Sequence, residues 1–352
     1  MGWVSWIGEG KVIKSEFKHW IGEALGTEHY QINPLKGDAS FRSYYRIHHA
    51  DKTYIAMIAP PDKEKTDAFV AIAKSWKRDG LQVPTVWSWQ PQHGFALLSD
   101  FGDTLLLDVL DDKTAHHFYM KAMQTLLPLQ IAKPLDYHLP PFGETHARQE
   151  LGLFDEWFIE KLLNLSLSAK ERTLLETVYH SLIACVQNQT QAVIHRDYHS
   201  RNLMVLPDNG LGVIDFQDAM IGPITYDLAS LLKDCYIAWP KDKIYAWVQN
   251  FYQLLKDEKR IHDVSLAEFI EWFDCVGLQR HLKVLGIFSR LKLRDGKAGY
   301  LNDIPRIMNY VLDVTQRYPF LSELDHWLQQ RVLPILTQCL TEHARPPDSK
   351  VA

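Results

Sequence analysis

Cysteine is scarce in this 352-residue sequence, and the spacing of its cysteines argues against two kinds of site. Cys185, Cys235, Cys275 and Cys339 lie at least 40 residues apart, and no two of them form a Cys-x-x-Cys pair. Zinc sites use closely spaced ligands, and disulfide frameworks belong mainly to small secreted domains. We therefore expect free thiols and a reducing compartment.

Long apolar runs and an excess of basic residues are also missing. No stretch approaches the roughly 18 apolar residues of a membrane-spanning helix. The N-terminal Met-Gly-Trp-Val-Ser-Trp lacks the basic and apolar regions of a secretory signal. The 38 Lys and Arg residues are outnumbered by 43 Asp and Glu, which argues against general nucleic-acid binding. We expect a cytoplasmic protein with no membrane or nucleic-acid partner and no obligate protein partner.

Two contrasting halves are present instead. Residues 1–100 contain short β-rich runs and two helical stretches, whereas apolar residues after about residue 110 recur mainly at helical spacing. The predicted strands are 41–48, 53–59, 84–89 and 95–99, and the predicted helices are 15–25, 66–79, 114–128, 147–163, 168–187, 225–237, 242–256, 265–291, 305–317 and 321–342. The pattern predicts an α+β protein with a small antiparallel β-rich N-terminal lobe, residues 1–100, and a large helical C-terminal lobe, residues 101–352.

One β-rich segment, residues 192–216, interrupts the helical half. An apolar strand at 192–194 leads into the polar loop 195–202. Two short apolar stretches then flank a turn at Pro207-Asp208-Asn209-Gly210. The segment therefore predicts a β-hairpin that follows a polar loop.

The register of this hairpin decides which polar side chains meet. If the turn is centred on Asp208-Asn209, Asn202 faces Asp215. A turn centred on Asn209-Gly210 would instead place Met204 opposite Asp215. In the first register, an amide oxygen and a carboxylate lie side by side, and Mg²⁺ prefers such oxygen ligands.

A third polar residue of the loop completes a site for phosphoryl transfer. Asp197 lies five residues before Asn202 and is placed to accept the proton of a substrate hydroxyl. The sequence therefore indicates Asp197 as the catalytic residue, with Asn202 and Asp215 as metal ligands. The alternative interpretation of His195-x-Asp197-x-His199 as a metal-hydrolase ligand set lacks further ligands at suitable spacing.

These residues resemble a known catalytic loop. His195-Arg196-Asp197 with Asn202 matches the kinase motif H-R-D-x-x-x-x-N, and Asp215-Phe216 matches the start of D-F-G. With His199 and the run 222–232, the chain is similar to the aminoglycoside phosphotransferase-like small-molecule kinases over about residues 30–320. The resemblance implies a bilobal protein-kinase-like fold, ATP and Mg²⁺ as cofactors, a structural role for His195, and Asp227 as a brace of the loop.

Within that family the chain looks most like the bacterial anomeric sugar kinases. The runs that carry this closer resemblance are 37–42, 59–61, 98–102, 150–157 and 277–305. It implies transfer of phosphate from ATP to the anomeric hydroxyl of N-acetylmuramate and/or N-acetylglucosamine, which gives a sugar 1-phosphate for cell-wall recycling. Another acceptor of the superfamily, an aminoglycoside or choline, and a nucleotide-binding pseudokinase remain alternatives.

The resemblance also suggests binding residues. Nucleotide contacts are expected from Gly37, Ser40, Arg42, Ser99, Asp100 and Phe101. Substrate contacts are expected from His199, Arg201, Gln217, Asp218, Glu150 and Glu156. Asp100-Phe101-Gly102 spells D-F-G, but it precedes the catalytic loop and is interpreted as the connector between the lobes.

Two departures from the family pattern bear on the phosphate site. Met57 stands where kinases carry a lysine, and Arg42, Arg46 and Lys36 are candidates to replace its charge. The glycine-rich loop is reduced to Gly37. In the block 277–305, the basic residues form either an exposed charged helix face or include one arginine that holds the lactyl carboxylate of N-acetylmuramate.

Overall fold

The computed structural model describes residues 15–35, 41–64 and 66–344 of the chain. Its strands are β1 Gln31–Pro34, β2 Ser43–His49, β3 Lys52–Ile58, β4 Val86–Gln90, β5 Phe95–Ser99, β6 Gln191–Ile194, β7 Leu203–Val205, β8 Leu211–Val213 and β9 Met220–Pro223. Its α-helices are α1 Ser15–Leu25, α2 Thr66–Arg78, α3 Leu106–Val109, α4 Ala115–Leu129, α5 Glu144–Leu153, α6 Ala169–Gln187, α7 Tyr226–Leu232, α8 Lys241–Asp257, α9 Leu266–Asp295, α10 Ile304–Thr315, α11 Ser322–Trp327 and α12 Leu333–Ala344. π-Helical segments span Phe154–Leu162 and Leu328–Val332, and 3₁₀ turns span Ala298–Asp303 and Pro319–Leu321.

The N-terminal lobe is one antiparallel sheet with a helix on each face. Its strand order is β1-β2-β3-β5-β4. Because side chains alternate across a strand, β3 sends Ala56 toward Phe17 of α1 and Met57 toward Phe69 of α2. The predicted antiparallel β lobe is confirmed.

The C-terminal lobe is organised around α9, a helix of 30 residues. Helices α5, α6, α7, α8 and α10 pack against it, and most of its central residues are buried. Arg280, His281 and Lys283 are among these buried residues, so the alternative of an exposed charged face for this part of the helix is wrong. The predicted mainly helical lobe is confirmed, and no helix in the described part of the chain is long and apolar enough to cross a membrane.

Several element boundaries differ from the sequence-based expectation. Strands β1 and β9 and the short helix α3 were not predicted. The helix expected at 147–163 is α5 continued by a π-helical segment, and the one expected at 225–237 ends at Leu232. A capping box begins α6, since Ser168 Oγ accepts from Glu171 N–H and the Glu171 carboxylate accepts from Ser168 N–H.

The register of the hairpin formed by β7 and β8 corrects the prediction by one residue. Met204 faces Gly212, and Ile214 N–H donates to the carbonyl of Asn202 at 3.1 Å, so Asn202 is opposite Ile214 rather than Asp215. The reason is a three-residue loop. Asn209 N–H closes a turn onto Leu206, and Asn209 itself is left-handed with φ 59°.

Candidate active site

Two buried aspartates hold the loop 195–202. Asp227, in the first turn of α7, accepts hydrogen bonds from the backbone N–H of His195 at 2.7 Å and of Arg196 at 2.9 Å. Asp234, just beyond α7, accepts from the N–H and the hydroxyl of Ser200 at 2.9 and 2.5 Å. Asp227 lies where the sequence expectation placed it, whereas Asp234 was missed. Its signal was the spacing of seven residues from Asp227, which places both on one side of the predicted helix 225–237, although α7 itself ends at Leu232.

His195 uses both ring nitrogens inside the protein. Its Nε2 donates to the carbonyl of Ile214 at 2.9 Å, and its Nδ1 accepts the N–H of Asp197 at 3.3 Å. The residue is fully buried. This arrangement ties the loop to β8 and leaves no ring nitrogen for a metal ion, so it argues against the hydrolase alternative.

Asp197 and Asn202 are joined across the loop. The side-chain amide of Asn202 donates to the carbonyl of Asp197 at 2.9 Å, which orients the amide oxygen away from that carbonyl. Arg196, beside Asp197, has a left-handed backbone with φ 78°. Such strain in a non-glycine residue persists where surrounding contacts impose it, and it clusters at active sites.

The carboxyl group of Asp197 is held in its ionised form. Burial by itself would raise its pKa, but the positive charges around it, that of Lys283 most of all and those of Arg280 and Arg196, bring the pKa below the ordinary value. An ionised carboxylate can accept a proton, as a general base must.

Asp215 is exposed at the end of β8, and its backbone is left-handed with φ 64°. Its Oδ1 accepts from Gln217 Nε2 at 3.0 Å and faces Arg42 Nη1 at 3.4 Å. Within the described residues, Oδ2 has no protein partner. Asn202 precedes β7 and Asp215 follows β8, so both residues lie at the same end of the hairpin. Mg²⁺ takes accessible carboxylate oxygens of this kind as ligands. No cluster of three or more His, Cys, Asp or Glu residues suited to a metal occurs in the described ranges.

Arg42 links the N-terminal lobe to Asp215. It lies just before β2, its side chain is 8% exposed, and it is paired with Glu64 at 2.8 Å. Met57 is buried and faces Tyr44 across β2 and β3. Tyr44 is close enough to Arg42 for the two side chains to interact electrostatically, so the guanidinium lies near the strand position that carries the lysine in kinases. Glu64 gave no signal in the sequence.

Arg46, the second candidate to replace the charge of the kinase lysine, is paired with other residues. It forms a two-pronged ion pair with Asp100 at 2.7 and 3.2 Å and also contacts Asp103. Ser99 hydrogen-bonds to Thr85 through its N–H and its hydroxyl. The residues 99–101 therefore form the tied connector between the lobes. Gly37, Ser40 and Lys36 lie outside the described residues.

Glu150 occupies a different place from the one expected of a substrate contact. It is 6% exposed and lies behind the catalytic loop, where it pairs with Arg196 at 2.6 Å and Lys283 at 3.1 Å and accepts from Gln279 at 2.9 Å. Burial would raise its pKa, but Lys283 above all and the other partners bring the pKa well below the usual range. These contacts indicate that Glu150 holds the side chains of Arg196 and Lys283 in position next to the loop.

The other expected substrate residues lie in three places. His199 and Arg201 both contact the ring of Tyr236, His199 edge-on and Arg201 with its guanidinium 3.8 Å from the ring centre. Asp218 is exposed and hydrogen-bonded to Gln217 at 3.4 Å, next to Asp215. Glu156 lies instead on an exposed part of the π-helical segment, paired with Lys161 at 2.5 Å.

Comparison with known proteins gives a consistent assignment. Residues 31–262 match the model of the phosphotransferase enzyme family (APH). An N-acetylmuramate/N-acetylglucosamine kinase of Pseudomonas putida is 37% identical over 293 residues, which cover 83% of this chain and 86% of that protein. A kinase of the same name from Neisseria meningitidis serogroup B is 35% identical, with coverage of 88% and 93%.

Solved structures share the fold at low identity. The choline kinase LicA from Streptococcus pneumoniae superposes with a TM-score of 0.59 and 14% identity, over 85% of this chain and 100% of that chain. The ADP-bound aminoglycoside phosphotransferase APH(2'')-Ib gives 0.57 and 14%, over 86% and 99%. These likenesses confirm the bilobal architecture and concern the fold alone.

Proposed function

The chain belongs to the phosphotransferase enzyme family, and from that premise we propose that it transfers the γ-phosphoryl group of ATP to the anomeric hydroxyl of N-acetylmuramate and N-acetylglucosamine. The proposal follows the names of the relatives that are 35–37% identical over most of the chain. The observation that supports it most directly is Asp197, an ionised carboxylate held in a braced loop among positive charges. The product, a sugar 1-phosphate, is suited to reuse in cell-wall synthesis.

Asp197 takes the proton of the acceptor. As the anomeric oxygen forms a bond to the γ-phosphorus, the bond from that phosphorus to the bridging oxygen of ADP breaks, and the hydroxyl proton passes to Asp197. An anomeric hydroxyl is more acidic than an ordinary alcohol, so a carboxylate whose pKa is low is an adequate base. The hydrogen bond from Asn202 to the Asp197 carbonyl and the hydrogen bond from His195 N–H to the Asp227 carboxylate keep the loop in place during the transfer.

Asp215 and Asn202 are proposed to hold Mg²⁺. The oxygen donors of the two side chains fit a hard cation, and the exposed, partly unpartnered carboxylate of Asp215 is open to one. When bound, the ion neutralises charge on the phosphates.

Arg42 is proposed to supply the charge that Met57 lacks. Its guanidinium lies beside Asp215 and is oriented by Glu64, much as the lysine of a kinase is oriented by a glutamate. Connector residues 99–101 are proposed to receive the adenine, and Gly37 and Ser40 to complete the phosphate loop.

The charges around Asp197 favour a neutral or anionic acceptor. Lys283, Arg280 and Arg196 all act on this carboxylate. An aminoglycoside or choline would bring positive charge among these cations, which is unfavourable at short range. Glu150 compensates two of these charges, and the remaining charge of Arg280 supports an N-acetylated sugar, which carries no positive charge, over the cationic substrates named for the structural neighbours.

The test is ADP release with Mg-ATP in the presence of N-acetylmuramate, N-acetylglucosamine, glucose, choline or kanamycin, with the product examined by phosphorus NMR. We expect a sugar 1-phosphate from the two N-acetylated sugars. Asp197→Asn should lower kcat by about 10²–10⁴-fold, the usual contribution of a general base. The matched control Asp208→Asn, in the exposed hairpin turn, should retain wild-type turnover.

Two results would contradict the proposal. Phosphate on another oxygen of the sugar would overturn the anomeric assignment. ATP binding without turnover of any acceptor would instead favour the pseudokinase alternative, for which Met57 was the sequence signal.

A further inference from the structure

Arg280 is a buried cation whose charge has no ion-pair partner in the described parts of the chain. It lies on α9 and is 6% exposed. The other basic residues buried nearby are paired, Lys283 with Glu150 at 3.1 Å and Lys233 with Asp274 at 2.7 Å. The guanidinium of Arg280 instead lies 5.0 Å from the ring centre of Tyr226, and its buried Nε has no hydrogen-bond acceptor.

The charge of Arg280 acts on two residues of the catalytic loop. Its charge is close enough to Asp197 to contribute to the lowering of the pKa of that carboxyl against the raising effect of burial. Burial lowers the pKa of His199, and the charge of Arg280 lowers it further. The guanidinium lies over the ring of Tyr226, and the next residue, Asp227, accepts the hydrogen bonds of His195 and Arg196, so Arg280 lies next to the braced catalytic loop.

A second polar atom at the same place has no partner. His199 Nδ1 is buried without a hydrogen bond, while the ring packs edge-on against Tyr236. Buried charges in folded proteins are as a rule paired, because an isolated charge loses its hydration without compensation. An anionic group of a bound molecule would supply the missing partner for Arg280.

We propose that Arg280 forms a carboxylate subsite that selects the acidic amino sugar N-acetylmuramate over N-acetylglucosamine. N-acetylmuramate differs from N-acetylglucosamine by a lactyl ether on C3 of the ring, close to the anomeric C1. With the C1 hydroxyl on Asp197, its carboxylate is directed to the surroundings of that loop. A guanidinium binds a carboxylate through two parallel hydrogen bonds, which favours this ligand over a neutral sugar. The inference rests on the proposed function and deepens it.

The experiment compares kcat/KM for the two sugars in wild type, Arg280→Gln and Arg280→Lys. The ratio of N-acetylmuramate to N-acetylglucosamine should fall at least about tenfold in Arg280→Gln, through KM for N-acetylmuramate, because a charge-assisted hydrogen bond is lost. Arg280→Lys keeps the charge without the planar fork and should lower the ratio less. Arg294→Gln, an exposed arginine of the same helix paired with Asp295, is the control with an unchanged ratio.

The methyl ester of N-acetylmuramate tests the same contact without a mutation. It keeps the shape of the sugar and removes its charge, so wild-type kcat/KM should fall at least about tenfold relative to the acid. An equal loss for both sugars in Arg280→Gln, or an ester used as well as the acid, would overturn the subsite while leaving the kinase function intact. Wild-type turnover of neither sugar would instead contradict the proposed function itself.

Discussion

The dipeptide Asp-Phe occurs twice, at Asp100-Phe101 and at Asp215-Phe216, and the two copies have different surroundings. In the connector site, Asp100 is 4% exposed and both of its oxygens are bound by Arg46. In the cleft site, Asp215 is 46% exposed, Arg42 approaches it at 3.4 Å, and one oxygen has no protein partner in the described ranges. A carboxylate whose oxygens are all occupied is a structural clamp, whereas a partly occupied and exposed one is available to a ligand.

The burial of the two phenylalanines is the reverse of that of the two aspartates. Phe216 of the cleft site is fully buried between Phe69 and Trp76, with ring centres 4.9 and 5.3 Å apart. Phe101 of the connector site is half-buried and lies against Gly212 of β8. In the cleft site the aromatic ring anchors the chain so that the aspartate is free to face the cleft, whereas in the connector site the aspartate is the anchor.

The largest expected difference between the two sites is in turnover. Asp215→Asn should lower kcat at least about a thousandfold, since it removes a charged metal ligand and several kcal/mol of transition-state stabilisation. Asp100→Asn should change kcat less than about tenfold but lower the free energy of unfolding by about 1–3 kcal/mol, because Arg46 loses a buried partner. Steady-state kinetics and urea unfolding measure the two effects. Equal losses of kcat in both variants would break the comparison.

Arg42, beside Asp215, should matter more for turnover, and Arg46, beside Asp100, more for stability. The expected loss of activity is smaller than for the two aspartates. Arg42→Met is expected to lower kcat/KM for ATP about a hundredfold, because a cation beside the transferred phosphates is lost, and Arg42→Lys should restore part of it. Arg46→Met should affect stability more than turnover, since Asp100 and Asp103 lose their partner. If Arg46→Met proved the more damaging to kcat/KM, the phosphate charge would have to come from the connector side.

The sequence predicted the fold class and the contact of Asp227 with the loop better than the longer-range contacts around that loop. The fold class, the antiparallel sheet and the helical lobe are confirmed, because they depend on periodicity and on local turn signals. Asp197, Asn202, Asp215 and Asp227 come from one short motif and one neighbouring run, so the loop and its first brace were accessible without long-range information.

The hairpin register shows where local reasoning stops. A two-residue and a three-residue loop fit the same Pro-Asp-Asn-Gly letters, and only the left-handed backbone of Asn209 selects the latter. The pairing of Arg42 with Glu64 and the buried setting of Glu150 depend on contacts between elements far apart in the chain. Charge patterns along single segments do not carry that information, which is why Arg280 and Lys283 were compatible with an exposed helix face.

The smallest expected effect is on stability, through the packing of Phe101 in the connector site against Gly212; Phe216 in the cleft site has no such contact with Gly212. A Cβ at Gly212 would lie 2.6 Å from a ring carbon of Phe101, so Gly212→Ala should cost about 1–3 kcal/mol of unfolding free energy through overpacking. Combining it with Phe101→Leu should recover much of that loss, since the ring that clashes is removed. The matched cycle of Gly212→Ala with Phe216→Leu should be additive within about 0.5 kcal/mol. Urea unfolding of wild type and the five variants, three single and two double, measures both couplings. Additivity in both cycles would mean that Phe101 does not connect the lobe connector to the catalytic hairpin.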